Sequence, residues 1–291
     1  MSETVHEAPG REAPEKAEPS SRRLAGGDGW SLYEFVCRAG PRDRPFEERH
    51  GGVSISAVVS GAFTYASDTG RALLHPGALL FGNHGACYSC GHEHSTGDRC
   101  ISVQFTPDCF GEIAASAAGS SRFRFPAAML PARRDTLPHT VLMEALGGIH
   151  DPLDMEERVV RFVAAAVRTM SGETAMSQRV SAQDARRVSR VLSHIEAHSG
   201  EPLDLDRLAA VAATSKFHFL RIFRRAVGLT PYQFLLNPRL RQAALRLLAT
   251  PDAVSAIAYD TGFGDLSTFN AAFSDRFGAS PLAFRRSGAL H

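Results

Sequence analysis

The amino-acid sequence predicts an α+β protein, with an antiparallel β-barrel and following helices in its N-terminal part and an all-α C-terminal domain of two helix-turn-helix units. Three observations carry this prediction. Short strand patterns separated by glycines run through residues 31–106, helical patterns dominate from residue 153, and one helical unit near the C-terminus recurs fifty residues later.

Length and composition divide the chain into four parts. Its 291 residues, 44% hydrophobic and 22% charged, are enough for two globular domains. Residues 1–27 are rich in Glu, Pro, Ala, Gly and Ser, with too few apolar groups to offset the entropy lost on ordering, which predicts a disordered tail. We expect a barrel domain with C-terminal helices over 28–170, a polar linker over 171–184 and a helical domain over 185–291.

The barrel is predicted from four strand patterns with glycines at or near their ends. Several short strands separated by glycine turns are typical of an antiparallel sandwich or barrel. The strand patterns are 31–37, 53–67, 72–82 and 100–106, and the glycines are Gly61, Gly77, Gly82 and Gly97.

Nothing in the sequence predicts a membrane segment or an export signal. No apolar run approaches the roughly 18 to 20 residues that cross a bilayer, and the start MSETVHEAPG lacks the charged and apolar regions of a signal peptide. We therefore expect a cytoplasmic protein with no membrane partner.

The first helix-turn-helix pattern combines the segment LDLDRLAAVAATS with a basic helix that follows it. Ser215 is a good N-cap for the second helix, and Gly228 suits the left-handed residue that ends it. Phe219, Ile222 and Phe223 fall at helical spacing and predict a buried face. The remaining faces are strongly basic, which suits a groove lined by phosphates.

The same pattern recurs at residues 254–278. Gly262 marks a turn, Asp265 is an N-cap candidate, and Phe269, Phe273 and Gly278 repeat Phe219, Phe223 and Gly228 at a constant offset of fifty. A repeated supersecondary unit is stronger evidence for the motif than one amphipathic helix.

A connecting helix is predicted between the two units, over 230–250. Thr230 is its N-cap and Pro231 its first residue. Pro238 lies inside this segment, where it removes a backbone hydrogen bond at a cost of about 3 kcal/mol. Because Asn237 and Pro238 suit the N-cap and first position of a fresh helix, we expect a kink or break there.

Charge is distributed unevenly along the chain. The net charge is +1, but residues from 181 onward hold 14 Lys/Arg against 9 Asp/Glu, a net +5, which leaves −4 for residues 1–180. Only the C-terminal part is therefore suited to a polyanion such as DNA.

Residues 188–286 resemble the tandem helix-turn-helix domain of the AraC/XylS family of bacterial transcription regulators. The resemblance rests on SKFHFLRIFRRAVGLTPYQFL, IAYDTGFGDLSTFNAAF and RFGASPLAFRR, and it covers about a third of the chain. It implies double-stranded promoter DNA and RNA polymerase as partners, an unknown effector, and a cupin-like regulatory barrel, to which the arrangement GAFTY, PGALLFGN and GDRCISVQF is similar.

The resemblance also implies which residues contact DNA. Arg221 is able to bond guanine and Asn270 adenine bidentately, whereas Leu220 and Ala271 offer only apolar contacts. We expect the first recognition helix to dominate specificity. The implied contacts are Lys216, Phe217, Leu220, Arg221, Arg224 and Arg225 in the first helix, and Leu266, Ser267, Asn270 and Ala271 in the second.

Helices that follow the barrel often mediate dimers in this family. The segment 153–170 has a broad apolar face that suits either a homodimer or packing against its own barrel. The apolar side chains are Val159, Val160, Phe162, Val163 and Val167.

A cluster of cysteines and histidines within HGACYSCGHEHSTGDRC, residues 84–100, is able to carry chemistry. In an extended chain, Cys90, His92 and His94 point to one side, and Cys87 or Cys100 would supply a fourth ligand for zinc or iron. Two other interpretations stay open. The thiols are either an oxidant or electrophile sensor with lowered pKa, or small buried residues without chemistry.

These observations favour a DNA-binding transcription regulator whose barrel senses a metal, a redox signal or a small molecule. The alternative is an enzyme, either a metal-dependent cupin-type enzyme or a cysteine-based repair protein, fused to a DNA-binding module. The sequence lacks a phosphate-binding glycine loop and a nucleophile elbow, and we assign no catalytic residue.

Overall fold

The computed structural model describes residues 19–43, 45–92, 97–132, 136–146, 152–172, 180–198 and 203–287. Ten strands lie in the described residues of the N-terminal part, and they confirm the predicted strand regions. The strands are β1 Ser20–Gly27, β2 Trp30–Cys37, β3 Phe46–Arg49, β4 Val53–Ser60, β5 Phe63–Ser67, β6 Gly70–Leu74, β7 Leu79–Gly82, β8 Cys87–Gly91, β9 Asp98–Phe105 and β10 Met129–Leu130.

The strands form two facing antiparallel sheets. One sheet has the order β1-β2-β9-β4-β7-β10 and the other the order β3-β8-β5-β6. In the larger sheet, β9 lies between β2 and β4, with Val103 opposite both Leu32 and Ile55. Side chains such as Val58, Phe63 and Tyr65 fill the space between the sheets.

Within the described ranges, ten helices follow or flank the sheets. Four belong to the N-terminal part or lead out of it, and six carry the two repeated units. They are α1 Pro107–Ala118, α2 Leu137–Leu146, α3 Pro152–Gly172, α4 Ala182–Ala197, α5 Leu205–Val211, α6 Lys216–Val227, α7 Pro231–Ala249, α8 Val254–Asp260, α9 Leu266–Phe277 and α10 Pro281–Ser287. In the described part of the chain, we find no helix whose length and apolarity would let it cross a membrane.

The apolar face of α3 packs on its own domain. Val159, Phe162, Val163 and Val167 are buried against α1 and the outer face of the larger sheet. Val160 is the exception, with 38% of its surface exposed. The sequence predicted either a homodimer contact or packing against the barrel for this face, and in the structure it packs against the barrel.

Two predicted domain boundaries need correction. Ser20–Gly27, predicted as the end of the disordered tail, form β1, which pairs along its length with β2, and residues 1–18 lie outside the described part. A polar composition suffices for an edge strand, since only one of its faces has to be covered. The linker is also shorter than 171–184, because α3 runs to Gly172 and Ser181 already caps α4.

The two helix-turn-helix units repeat as predicted, with one difference. Ser215 and Asp265 cap α6 and α9, and the left-handed Gly228 and Gly278 end them, all at the offset of fifty. The preceding helices α5 and α8, however, begin at 205 and 254, an offset of 49. The second unit therefore has a turn that is one residue longer.

The predicted break in the connecting helix is wrong. The helix α7 runs without interruption from Pro231 to Ala249 with Pro238 inside it, and Thr230 forms a capping box with Gln233. Phe234 is buried in the core of the first unit and Leu240 in that of the second. Packing on both sides of Pro238 therefore outweighs the lost backbone bond.

The barrel domain packs against both helix-turn-helix units. Ala62 and Leu73 from the barrel join the core of the first unit, and Leu137 and Val141 from α2 join that of the second. The left-handed Gly228 that ends α6 lies against Pro131, so that a Cβ there would approach the Pro131 Cβ to 3.0 Å. The repeat is thus held at fixed points by the N-terminal domain.

Candidate nucleic-acid interface and cysteine-histidine cluster

The helix α6 separates a buried apolar face from an exposed basic one. Phe219, Ile222 and Phe223 are at most 1% exposed and form the core of the first unit. Arg221, Arg224 and Arg225 are exposed even beside the described part of the barrel domain, and Leu220 is half-buried. The backbone of Phe217 lies in the first turn of α6, and its side chain lies outside the described part.

The helix α9 has the same division. Phe269 and Phe273 are fully buried, and the predicted contact residues Ser267, Asn270 and Ala271 are exposed. Leu266 is half-buried and packs at the edge of the second core. This face offers an amide, a hydroxyl and a methyl group, whereas the face of α6 offers cations.

Two predicted contact residues hold local partners. Lys216 Nζ lies 2.7 Å from Asp206, and both side chains are at least half exposed. Arg221 Nη2 donates to His218 Nδ1 at 2.9 Å. An exposed pair of this kind contributes about 0 to 1 kcal/mol, so both cations are able to exchange their partners for a phosphate or a base.

A partly buried ion-pair chain joins the barrel to the connecting helix. Glu144 of α2 accepts from Arg99 of β9 at 3.2 Å and from Arg241 of α7 at 2.7 Å. Arg99 also donates to Glu34 of β2 at 2.8 Å. Hydrogen bonds from Arg22 and Arg99 lower the pKa of Glu34. We call Glu34, Arg99, Glu144 and Arg241 the interdomain ion-pair chain.

A second interdomain contact is buried and polar but incompletely paired. His75 is fully buried, and its ring packs edge-on against Phe234 of α7. Burial lowers the pKa of His75 to about 4. Both amide atoms of the buried Asn237 lack a partner. The predicted N-cap role of Asn237 is therefore replaced by a place in the domain interface.

The cysteine-histidine cluster differs from the predicted one in its members. The side chains of Cys37, His92 and Asp98 come together, with all three potential ligand atoms within 4.8 Å of one another. His92 Nε2 lies 2.6 Å from Asp98 Oδ2, and the Cys100 thiol donates to Asp98 Oδ1 at 3.4 Å. We call Cys37, His92, Asp98 and Cys100 the barrel cluster.

Strand register brings the barrel cluster together. Cys37 ends β2 directly opposite Asp98, which begins β9, and Cys100 follows on the same face two residues later. Gly97 permits this close approach, because its φ is +79° and a Cβ there would lie 2.2 Å from the Cys37 carbonyl oxygen. His92 follows β8 and stacks on Phe63 at 5.7 Å between ring centroids.

The outcome for the five predicted ligands is mixed. His92 and Cys100 lie in the barrel cluster. Cys90 is close enough that the charges of Asp98 and Cys37 raise its pKa, and His94 lies outside the described residues. Cys87 lies three positions from Cys90 in β8, which places the two side chains on opposite faces of the strand because side chains alternate.

Electrostatics argue against reactive thiols at two positions. Burial raises the pKa of Cys90 and Cys100, and the nearby Asp98 raises both further. The sensor interpretation requires a lowered pKa, which is the opposite direction. Burial alone would lower the pKa of His92, but hydrogen bonds with Asp98 and Cys37 raise it to about 9.

Comparisons with known proteins support the C-terminal part of this description. The family described as "Helix-turn-helix domain" matches residues 208–287. The HTH-type transcriptional regulator MtrA of Neisseria gonorrhoeae is 30% identical over 103 residues, which are 35% of this chain and 34% of the relative. The chain therefore matches about a third of the length of that relative.

A longer match extends into the N-terminal domain. The MmsAB operon regulatory protein of Pseudomonas aeruginosa is 27% identical over 199 residues, 67% of this chain and 62% of the relative. Among solved structures, the DNA-binding domain of AdpA in complex with a target DNA is 31% identical, with 35% of this chain and 91% of that chain covered and a TM-score of 0.33.

Proposed function

We propose that this chain, whose C-terminal domain is a helix-turn-helix domain of the AraC type, is a sequence-specific DNA-binding transcription regulator controlled by its barrel domain. The observation that carries the proposal is the division of α6 and α9. Each helix buries two phenylalanines in a separate core, Phe219 and Phe223 in α6 and Phe269 and Phe273 in α9, and leaves the polar residues of its predicted DNA face exposed beside the barrel domain.

The two exposed faces suit different tasks in DNA binding. Arg224 and Arg225 are in the last turn of α6 and are suited to phosphates, while Arg221 has the donors to read a guanine. In α9, Asn270 is suited to adenine, and Ser267 and Ala271 offer a hydroxyl and an apolar contact. The connecting helix of 19 residues spans about 28 Å at 1.5 Å per residue, close to the 34 Å between successive major-groove segments.

Control by the barrel follows from the domain interface. Both helix-turn-helix cores include side chains from the barrel domain or α2. A signal that moves α2 or the barrel would therefore change the relative position of α6 and α9 and thereby the affinity for a site that needs both.

Further partners belong to the same proposal. Transcription regulation requires double-stranded promoter DNA and contact with RNA polymerase, and a homodimer would double the number of recognition helices on one operator. The enzyme alternative gains nothing from the relatives, which are named as regulators.

The proposal is tested by selecting binding sites for the full chain from random double-stranded DNA and measuring affinity for the best site. Arg221→Ala should weaken binding to that site by about 1 to 3 kcal/mol, because a bidentate arginine–guanine contact is lost. Binding to unrelated DNA should change much less.

Arg168→Ala is the matched control, since Arg168 is an exposed arginine on α3 of the N-terminal domain. It should leave both affinities unchanged. Failure to select any preferred sequence would overturn the proposed function, and an equal loss on all sequences would remove Arg221 from the base-reading role.

A further inference from the structure

The barrel cluster lies apart from the DNA-facing helices and is not used by the proposed function. It joins a thiol, an imidazole and a carboxylate, and these three ligand types are the ones that zinc takes from proteins. A second thiol, that of Cys100, donates a hydrogen bond to Asp98 Oδ1, the carboxylate oxygen that does not contact His92. The set therefore offers four groups of the types that zinc takes as ligands.

The distances fit a tetrahedral ion after a small adjustment. Ligands bound at about 2.0 to 2.3 Å to one tetrahedral ion lie roughly 3.3 to 3.8 Å apart. The ligand atoms of Cys37, His92 and Asp98 all lie within 4.8 Å of one another, and His92 Nε2 lies 2.6 Å from Asp98 Oδ2. The separations between these three ligand atoms therefore have to change by about 1 Å or less to surround one ion.

We propose that Cys37, His92 and Asp98 bind a divalent transition-metal ion of the zinc type, with the Cys100 thiolate as the fourth ligand. Binding replaces the hydrogen bonds inside the barrel cluster by metal-ligand bonds, and it releases to solvent the two thiol protons and the proton that the raised pKa leaves on the His92 imidazolium. Nitrogen and sulfur in the set select zinc over magnesium and calcium, which prefer oxygen alone.

The surroundings supply support and access. The side chains of His92 and Asp98 are 3% and 9% exposed, so the ion would be largely shielded from water. His92 also lines a cleft of about 520 Å³, together with Pro45, Thr64 and Arg186, which gives the ion a path from solvent. Phe63 stacks on the imidazole and fixes the plane of its ring.

The test uses the full chain, purified under reducing conditions and freed of metal, and titrated with Co²⁺ as a spectroscopic probe and then with Zn²⁺. We expect one Co²⁺ per chain, with the sulfur-to-cobalt charge-transfer absorption that only thiolate ligation produces, and its displacement by Zn²⁺. Absence of this absorption at saturating Co²⁺ would overturn the proposal.

Variants assign the ligands. Cys37→Ser and Asp98→Asn should each weaken Co²⁺ binding by more than about 100-fold, because removal of even a supporting residue costs 10- to 100-fold. Cys100→Ser should reduce the charge-transfer intensity. The matched control is Cys87→Ser, which changes a cysteine of β8 outside the barrel cluster and should bind Co²⁺ as wild type does.

Circular dichroism of the metal-free variants separates loss of a ligand from loss of the fold. A folded Cys37→Ser protein that binds Co²⁺ with unchanged affinity would contradict the assignment. Unchanged Co²⁺ affinity in Cys87→Ser, together with weakened affinity in a folded Cys37→Ser, would support the assignment of Cys37 as a ligand. DNA is absent from these measurements, so their outcome is independent of the proposed function.

Discussion

At the scale of single residues, the domain interface depends on a histidine that stays uncharged. His75 is 0% exposed and contacts Phe234 of α7 with its ring. A charged imidazole at this position would be buried away from solvent, and this cost of burial outweighs the hydrogen bonds with the Pro76 and Val227 backbone, which favour the charged form. The neutral form is therefore the one compatible with the packed domains.

This residue predicts a pH dependence of stability. The pKa of His75 is about 4 in the folded protein and about 6.5 in the unfolded chain. Between these values the unfolded chain binds more protons, so the free energy of unfolding falls as pH falls. From pH 7 to pH 5 this single residue should cost about 2 kcal/mol, at 1.36 kcal/mol per pH unit below 6.5.

The measurement is urea unfolding of wild type and His75→Leu at pH 7 and pH 5. The variant should lose less stability on acidification, since leucine takes up a similar volume and binds no proton. His50, whose pKa burial also lowers to about 4, is unchanged in both proteins and keeps its own contribution. An identical acid loss in the two proteins would refute the role given to His75.

The sequence predicted the residues whose role is local and missed those whose role depends on distant pairing. Ser215, Asp265 and Gly228 were found because caps and left-handed glycines act within a few residues of their helix. Cys37 was not, because its place beside Asp98 depends on the register between β2 and β9. No short-range pattern in the sequence contains that register.

At the scale of elements, the two helix-turn-helix units place different residues at the left-handed position of the same turn. Both turns need a left-handed residue after the first helix. The second unit uses Gly262, with φ of +88°, and the first uses Ala213, with φ of +50°. Ala213 is the one non-glycine residue with positive φ in the described part of the chain.

We expect Ala213→Gly to leave stability unchanged or to raise it by up to about 1 kcal/mol. The left-handed conformation costs alanine about 1 to 2 kcal/mol, and the greater freedom of glycine in the unfolded chain cancels part of the gain. The alanine methyl is exposed, so no packing is lost. The comparison is the urea midpoint of both proteins at pH 7.

The opposite substitution at the equivalent position of the second unit is the control. Gly262→Ala places the same methyl group at the equivalent position of the second unit, where it would approach Arg239 to 3.2 Å. It should lower stability by about 1 kcal/mol or more. The idea fails if Ala213→Gly is destabilising by the same amount.

The connecting helix α7 shows that tertiary packing is able to override a local sequence pattern. Pro238 and Asn237 have the local pattern of a helix start, yet α7 continues through both. The reason is tertiary, since Phe234 and Leu240 anchor the two halves of α7 in different cores. A sequence pattern does not contain the free energy of those two cores.

At the scale of the whole molecule, Glu144 connects three parts of the fold. It lies on α2 and binds both Arg99 of the barrel and Arg241 of α7, with its own side chain 15% exposed. Neutralising it would leave two partly buried guanidinium groups without their shared carboxylate.

Glu144→Gln should lower the free energy of unfolding by about 1 to 3 kcal/mol, the range for hydrogen bonds to charged groups. Hydrogen exchange of the α7 amides should become faster, because one of the links that hold α7 to α2 is weakened. The control is Glu157→Gln, which breaks an exposed pair with Arg161 on α3 and should cost less than about 0.5 kcal/mol. Equal losses in the two variants would show that the interdomain ion-pair chain is no stronger than a surface pair.

The two parts of the chain share their cores, so that neither part is complete without the other. Ala62, Leu73, Leu137 and Val141 complete the cores of the two helix-turn-helix units from outside them. We expect a helix-turn-helix half taken from a different protein to meet side chains of the wrong shape at these four places. A fragment that begins at residue 180 should likewise expose the apolar surface that these four side chains cover.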